Sequence, residues 1–146
     1  MRVPSAERWF EDYHVGMVDE FGEVPVTAEE IVEFAGRYDP QPMHTTAKEP
    51  IASGWLTVGL MMRLLVRHYL SRVAMLPSPG IDELRWMHPV YPGDKLRVRV
   101  TVTEARRSRS KPDRGIVHSF VEVLNQRGEV VMSLRPMNLM RCRNSA

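Results

Sequence analysis

A single cysteine, Cys142, stands among 146 residues. One thiol forms no intrachain disulfide and no cysteine-rich zinc site, so the chain reads as a protein of a reducing compartment, the cytoplasm. Charge of one sign is also scarce. The 20 Lys and Arg against 18 Asp and Glu leave a formal +2, too little to make nucleic acid or a membrane surface the main partner, and neither is expected. Long hydrophobic runs are missing: the longest, Trp55 to Met62, stops at Arg63, far short of the roughly 20 residues that cross a bilayer. The start, MRVPSAERWFEDY, carries three acids and a proline where a secretory signal needs an apolar stretch, so no targeting peptide is read there. His14, His68, His88 and His118 lack the mutual spacing of metal ligands; no metal is expected, and His88 reads as a satisfied core histidine. What is present, 43% hydrophobic and 26% charged residues without repeat or linker, suits one globular domain over residues 1–146.

The chain changes character in an order that reads as α+β. Thr27-Ala-Glu-Glu30 has the form of a capping box, the threonine oxygen taking a free amide and Glu30 reaching back. Ile31, Phe34, Ala35 and Tyr38 then share one helical face, and the helix must stop near Asp39 because Pro40 drives the preceding residue out of the α region. From Ser53 a second helix carries apolar residues on nearly every side, which predicts burial all round with the first turn as the deep end; Arg63, Arg67, His68 and Arg72 mark where it emerges. Beyond Pro79-Gly80 the period falls to two. Leu84, Trp86, His88 and Val90 alternate with polar or flexible neighbours, Tyr91-Pro-Gly-Asp94 reads as a type II turn, and Leu96 to Val102 alternate again. Ile116 to Leu124 and Glu129 to Leu139 follow as strands, joined by the hairpin Asn125-Gln-Arg-Gly128. One buried helix and several long antiparallel strands are buried most economically by wrapping the sheet around the helix, the hotdog fold.

The stretch richest in chemistry lies between the two helices. Asp39 sits at a helix end in a loop that proline prevents from becoming helix, and His44 follows five positions later with a side chain suited to proton transfer at neutral pH. Read by themselves, the first is equally a turn residue and the second a hydrogen-bonded loop histidine. Gly54 opens the long helix, where free N–H groups favour developing negative charge, although a glycine there also serves packing. Ser53 reads as its N-cap and not as a nucleophile, since no glycine stands two residues before it. Arg106, Arg107, Arg109, Lys111 and Arg114 form a basic run, most often a solvated hairpin surface, yet one to which phosphate is drawn.

Phe34-Ala35, Asp39-Pro-Gln-Pro-Met-His44 and Ile51-Ala-Ser-Gly54 together resemble the hydratase motif of the MaoC-like dehydratases, the family that contains the (R)-specific enoyl-CoA hydratases. The likeness runs from about Arg8 to Arg141. It includes Arg8-Trp-Phe-Glu-Asp12, Leu84-Arg-Trp86 with Pro89-Val-Tyr-Pro-Gly-Asp94, and Ser108 to Gly115. The resemblance implies reversible hydration of a trans-2-enoyl-CoA to the (R)-3-hydroxyacyl-CoA, with Asp39 and His44 dividing the proton work and Gly54 supplying an oxyanion hole. It makes Ser53, Trp55, Arg109 and Lys111 the candidate substrate contacts. Coenzyme A enters as part of the substrate and no separate cofactor is implied. A homodimer or larger homo-oligomer is expected, since a lone sheet leaves an edge and an incomplete cleft.

Two departures accompany the match. Ser53 stands where the family often has histidine, and Thr45 to Pro50 is a shorter connection than the resemblance implies, as a true truncation or through residues missing from the sequence. Two other readings use the same fold: a hotdog thioesterase, which leaves Asp39 to His44 unexplained, and a non-catalytic acyl-thioester binding subunit, which a misplaced imidazole after the short connection would favour.

Overall fold

The computed structural model describes residues 2–144. Two single 3-10 turns, Ser5–Glu7 and Phe10–Asp12, lead into β1 (Val18–Pro25), α1 (Ala28–Tyr38), the one-turn α2 (Pro42–Thr45) and α3 (Gly54–His68). Four further strands follow: β2 (Gly80–Trp86), β3 (Lys95–Arg107), β4 (Arg114–Leu124) and β5 (Val130–Arg141). All five strands join one antiparallel sheet in the order β1-β3-β4-β5-β2. The core forms where Leu56, Leu60, Met61, Leu64 and Leu65 of α3 meet the inward valines of β3 and β4, among them Val98, Val100, Val117 and Val121. Each such side chain contributes about 1.5–3 kcal/mol by leaving water. The architecture is α+β and hotdog, as the alternation of β3 and β4 and the apolar α3 led us to expect.

Local chemistry sets the boundaries. The Glu30 amide donates to Thr27 Oγ1 at 3.1 Å and starts α1. The capping box is only half made, because the Glu30 carboxylate turns to Arg63 Nη2 of α3 at 3.3 Å, a cross-helix tie. Gly93, at φ 90°, makes the turn after Pro92, and Asp94 Oδ2 accepts the Tyr91 amide at 2.9 Å. The Asn125 amide donates to Glu129 O at 3.0 Å and closes the β4–β5 hairpin.

Three expectations are corrected. The long helix is not buried all round: Trp55 is 57% exposed, Met62 46% and Val66 52%, because one sheet covers one face of a cylinder. Its first turn is therefore divided, with Ser53 and Leu56 buried while Trp55 faces out, and it ends at His68, before Arg72. The strand read over Leu84 to Val90 is displaced to Gly80–Trp86. Glu83 takes φ 52° where the pairing with β5 slips between Asp82 and Arg85, a bulge that breaks the alternation. As a result His88 lies past the strand and is exposed, not a core histidine.

Candidate active site

Pro40 ends α1 and leaves Asp39 at φ −154°, ψ 66°, outside the helical region. Pro42 then starts α2 at a position where its missing N–H costs nothing. The single turn that follows carries His44 inward, where it is buried, and back toward Asp39. His44 Nε2 stands 3.3 Å from Asp39 Oδ2. The other ring nitrogen, Nδ1, lies 2.6 Å from Ile51 O. A carbonyl only accepts, so Nδ1 carries the proton and Nε2 is the nitrogen left to exchange one.

The short connection leaves the imidazole beside Asp39. Ile51 N donates to Met43 O at 3.0 Å and Ala52 N to Val90 O at 2.8 Å, which fastens the chain to α2 and to the loop between β2 and β3 just before α3 begins. Ser53, fully buried, uses its hydroxyl twice: it donates to Asp39 Oδ2 at 2.8 Å and accepts the Trp55 amide at 3.3 Å. The N-cap expected for Ser53 is present, and it is joined to the acid. Gln41 Nε2 donates to Asp39 Oδ1 at 2.6 Å. Hydrogen bonds from Gln41 and then Ser53, with the nearby imidazole, hold the Asp39 carboxyl below its ordinary value against a small opposing effect of burial.

Gly54 takes the first helical position, and its N–H enters none of the hydrogen bonds formed by the described residues. The structure gives this glycine a reason that spacing alone left open. A Cβ here would lie inside van der Waals contact of the Trp86 indole. Trp86 Nε1 donates to Gly54 O at 3.1 Å, and the ring meets Trp55 edge-on with centroids 5.3 Å apart. Asp39, Gly54, Trp55 and Trp86 thereby line one cleft of about 360 Å³, with His88 on its rim.

Asp39, His44, Ser53, Gly54 and Trp55 are thus brought together, whereas Arg109 and Lys111 are not. Those two occupy the β3–β4 hairpin, while the cleft adjoins Val90, just before β3 begins. The 13 residues of β3 put roughly 40 Å of extended chain between the ends. Within one chain Arg109 and Lys111 therefore do not adjoin this cleft. Arg107 and Arg114 of the same run pair with Glu11 and Asp113. Gln41, Trp86 and His88 were missed. Gln41 had a signal, an amide two residues beyond Asp39 between two prolines, but nothing local links Trp86 to a glycine 32 positions away.

The MaoC like domain model matches residues 13–122, a span holding both the Asp39 to His44 motif and Gly54. The chain belongs to the MaoC-like family. A MaoC-like dehydratase from Rhodospirillum rubrum is 36% identical, and its crystal structure aligns with a TM-score of 0.84 over 94% of this chain and 99% of that one. Mesaconyl-CoA hydratase from Cereibacter sphaeroides is 30% identical over 154 aligned positions, covering 97% of this MaoC-like chain and 43% of the hydratase, so the chain spans less than half of that relative's length. A double hotdog protein from Mycobacterium tuberculosis, at 13% identity, shares the fold with a TM-score of 0.79 over 99% of this chain and 47% of that one. Among the described residues no group of three or more His, Cys, Asp or Glu side chains is placed to hold a metal ion, and no helix is long and apolar enough to cross a membrane.

Proposed function

We propose that the chain hydrates trans-2-enoyl-CoA thioesters reversibly to (R)-3-hydroxyacyl-CoA, with coenzyme A entering only as part of the substrate. The observation that carries this reading is His44 Nε2 at 3.3 Å from the Asp39 carboxylate, beside the unpaired amide of Gly54. Water bound between Asp39 and Nε2 gives up a proton as its oxygen attacks C3. The thioester oxygen gains enolate charge, which the Gly54 N–H at the start of α3 meets. A proton returned from the same pair to C2 completes the addition, so the two groups act as base and acid in turn. Ser53 and Gln41 keep Asp39 ionised and aimed. A homodimer belongs to this reading: Trp55, Met62 and Val66 on α3 and Trp86 on edge strand β2 leave apolar surface that a second copy would cover.

The test removes proton exchange while keeping shape. Asp39→Asn and His44→Gln are each expected to lower kcat by roughly 10²–10⁴-fold, with the double variant losing much less than the product of the two. Loss of enoyl absorbance follows turnover. Thiol release in place of hydration would make the chain a thioesterase, and retained ligand binding with neither activity would make it a binding subunit. Near wild-type hydration by Asp39→Asn would refute the mechanism.

A further inference from the structure

Thr57 follows Ser53 by four residues on the same face of α3, and it is 1% exposed. Ser53 already serves as N-cap and as donor to Asp39. Thr57 has no such duty. Its amide donates to Ser53 O at 3.2 Å as the helix requires, yet its hydroxyl enters none of the hydrogen bonds formed by the described residues. It does not even make the bond back to the carbonyl four residues earlier that a threonine in a helix can form. Nor is that hydroxyl sealed from solvent; it opens on the cleft, which Thr57 lines together with Asp39 and Gly54. A valine of nearly the same shape would fill the place without a polar atom, so packing does not account for the threonine.

A helical side chain leans toward the turn before its own, so Thr57 leans over Ser53 and Gly54, with side chains four apart about 5–6 Å from each other at Cβ. Ser53 Oγ is 2.8 Å from Asp39 Oδ2. One water, at about 2.8 Å from each neighbour, fits the span from that carboxylate to the Thr57 hydroxyl. The protonation of the acid/base pair says what such a water lacks. His44 Nδ1 donates to Ile51 O at 2.6 Å, so Nε2 and the Asp39 carboxylate both only accept. The water gives a hydrogen to each and keeps two lone pairs, one of which attacks C3. We propose that Thr57 is a third catalytic residue, whose hydroxyl donates to the other lone pair and so turns the first toward C3. Thr57 neither gains nor loses a proton: the water O–H breaks toward the acid/base pair, the C3–O bond forms, and C2 takes a proton from the same pair. In the reverse direction the hydroxyl stays on the 3-hydroxyl oxygen as its bond to C3 breaks, and the hydrogen bond strengthens as that oxygen gains charge.

The proposal rests on the hydratase reading, and the experiment tells the two failures apart. Thr57→Val, Thr57→Ser and Asp39→Asn are compared with wild type on a short trans-2-enoyl-CoA and on the matching (R)-3-hydroxyacyl-CoA. Thr57→Val should lose roughly tenfold to hundredfold in kcat in both directions, the worth of a hydrogen bond to a group gaining charge, with KM unchanged. The acidic limb of its kcat/KM profile should stay in place, because the threonine does not bond to the carboxylate. Its Tm should hold, since no partner within the protein is lost, and Thr57→Ser should restore most of the rate. Hydration by Thr57→Val at the wild-type rate, with Asp39→Asn impaired, overturns the proposal and leaves the hydratase reading standing. A marked fall in Tm also overturns it, by showing the hydroxyl bonded within the protein, as does a raised KM at unchanged kcat, which would make Thr57 a binding contact only. Thr57→Ser as slow as Thr57→Val would assign the loss to shape and not to the oxygen. A wild type that hydrates no enoyl-CoA removes the hydratase reading and this proposal with it.

Discussion

Gly54 and Gly59 lie five residues apart in α3, and alanine is expected to act in opposite directions at the two. In a helix interior alanine is favoured over glycine by about 1 kcal/mol. Around Gly59 nothing lies within 4 Å of an added Cβ, so Gly59→Ala should stabilise by about 0.5–1 kcal/mol and raise Tm by roughly 2–4 °C. At Gly54 the same methyl group meets the Trp86 indole, and the ring must swing away. That forfeits the Nε1 bond to Gly54 O at 3.1 Å, worth about 0.5–1 kcal/mol, and the edge-on contact with Trp55, worth about 0.5–1.5 kcal/mol. The helix gain of at most ~1 kcal/mol does not cover this sum, so Gly54→Ala should be destabilised by about 1 kcal/mol. Urea unfolding of both variants is the assay. In a Trp86→Ala background the clash is gone, and Gly54→Ala should there be neutral or stabilising. A Gly54→Ala protein as stable as wild type, or one equally destabilised with and without Trp86, would refute the packing argument and return the glycine to a purely catalytic explanation.

What the sequence made legible follows from how local each signal is. Asp39 and His44 stand out because Pro40 and Pro42 fix the backbone between them, and the Thr27 cap, the Gly93 turn and the β4–β5 hairpin rest on neighbours within a few residues. The valines of β3 and β4 announce themselves by period two. The start of β1 did not, since Val18-Asp-Glu-Phe-Gly-Glu23 is an edge strand whose outward residues follow solvent and leave no clean alternation. The bulge at Glu83 has no turn residue to announce it, so the reading of β2 slipped and took His88 with it. Composition told that α3 was apolar, but how many of its faces are covered depends on how much sheet reaches it, a long-range property. The same holds for the missed pair of Trp86 and Gly54, whose meeting is set by β2 lying along the start of α3.

Two further outcomes are expected. Sedimentation equilibrium at micromolar concentration should give a dimer, because Trp55, Met62 and Val66 leave apolar surface on α3 beside the open edge of β2; a stable monomer would remove the second copy from the proposed function. Gln41→Ala tests the electrostatics of Asp39 most cleanly, since the Gln41 amide donates only to that carboxylate, whereas Ser53→Ala also deletes an N-cap whose loss acts at every pH. The carboxyl is held below its ordinary value first by Gln41 and then by Ser53. A group lowered in the folded state adds stability above its unfolded pKa, near 3.9 for aspartate, and loses it as pH falls through the lower folded value. Gln41→Ala should therefore melt below wild type at pH 6, with the gap closing as pH falls through the lowered folded value of Asp39 and the carboxyl is protonated in both proteins. Released from its donor, the carboxyl rises toward the ordinary range, and the acidic limb of the kcat/KM profile should move to higher pH with it. A melting difference that persists unchanged into acid would mean that Gln41 acts by packing, and an unmoved limb would mean that the carboxylate it holds is not the group whose ionisation the hydration step requires.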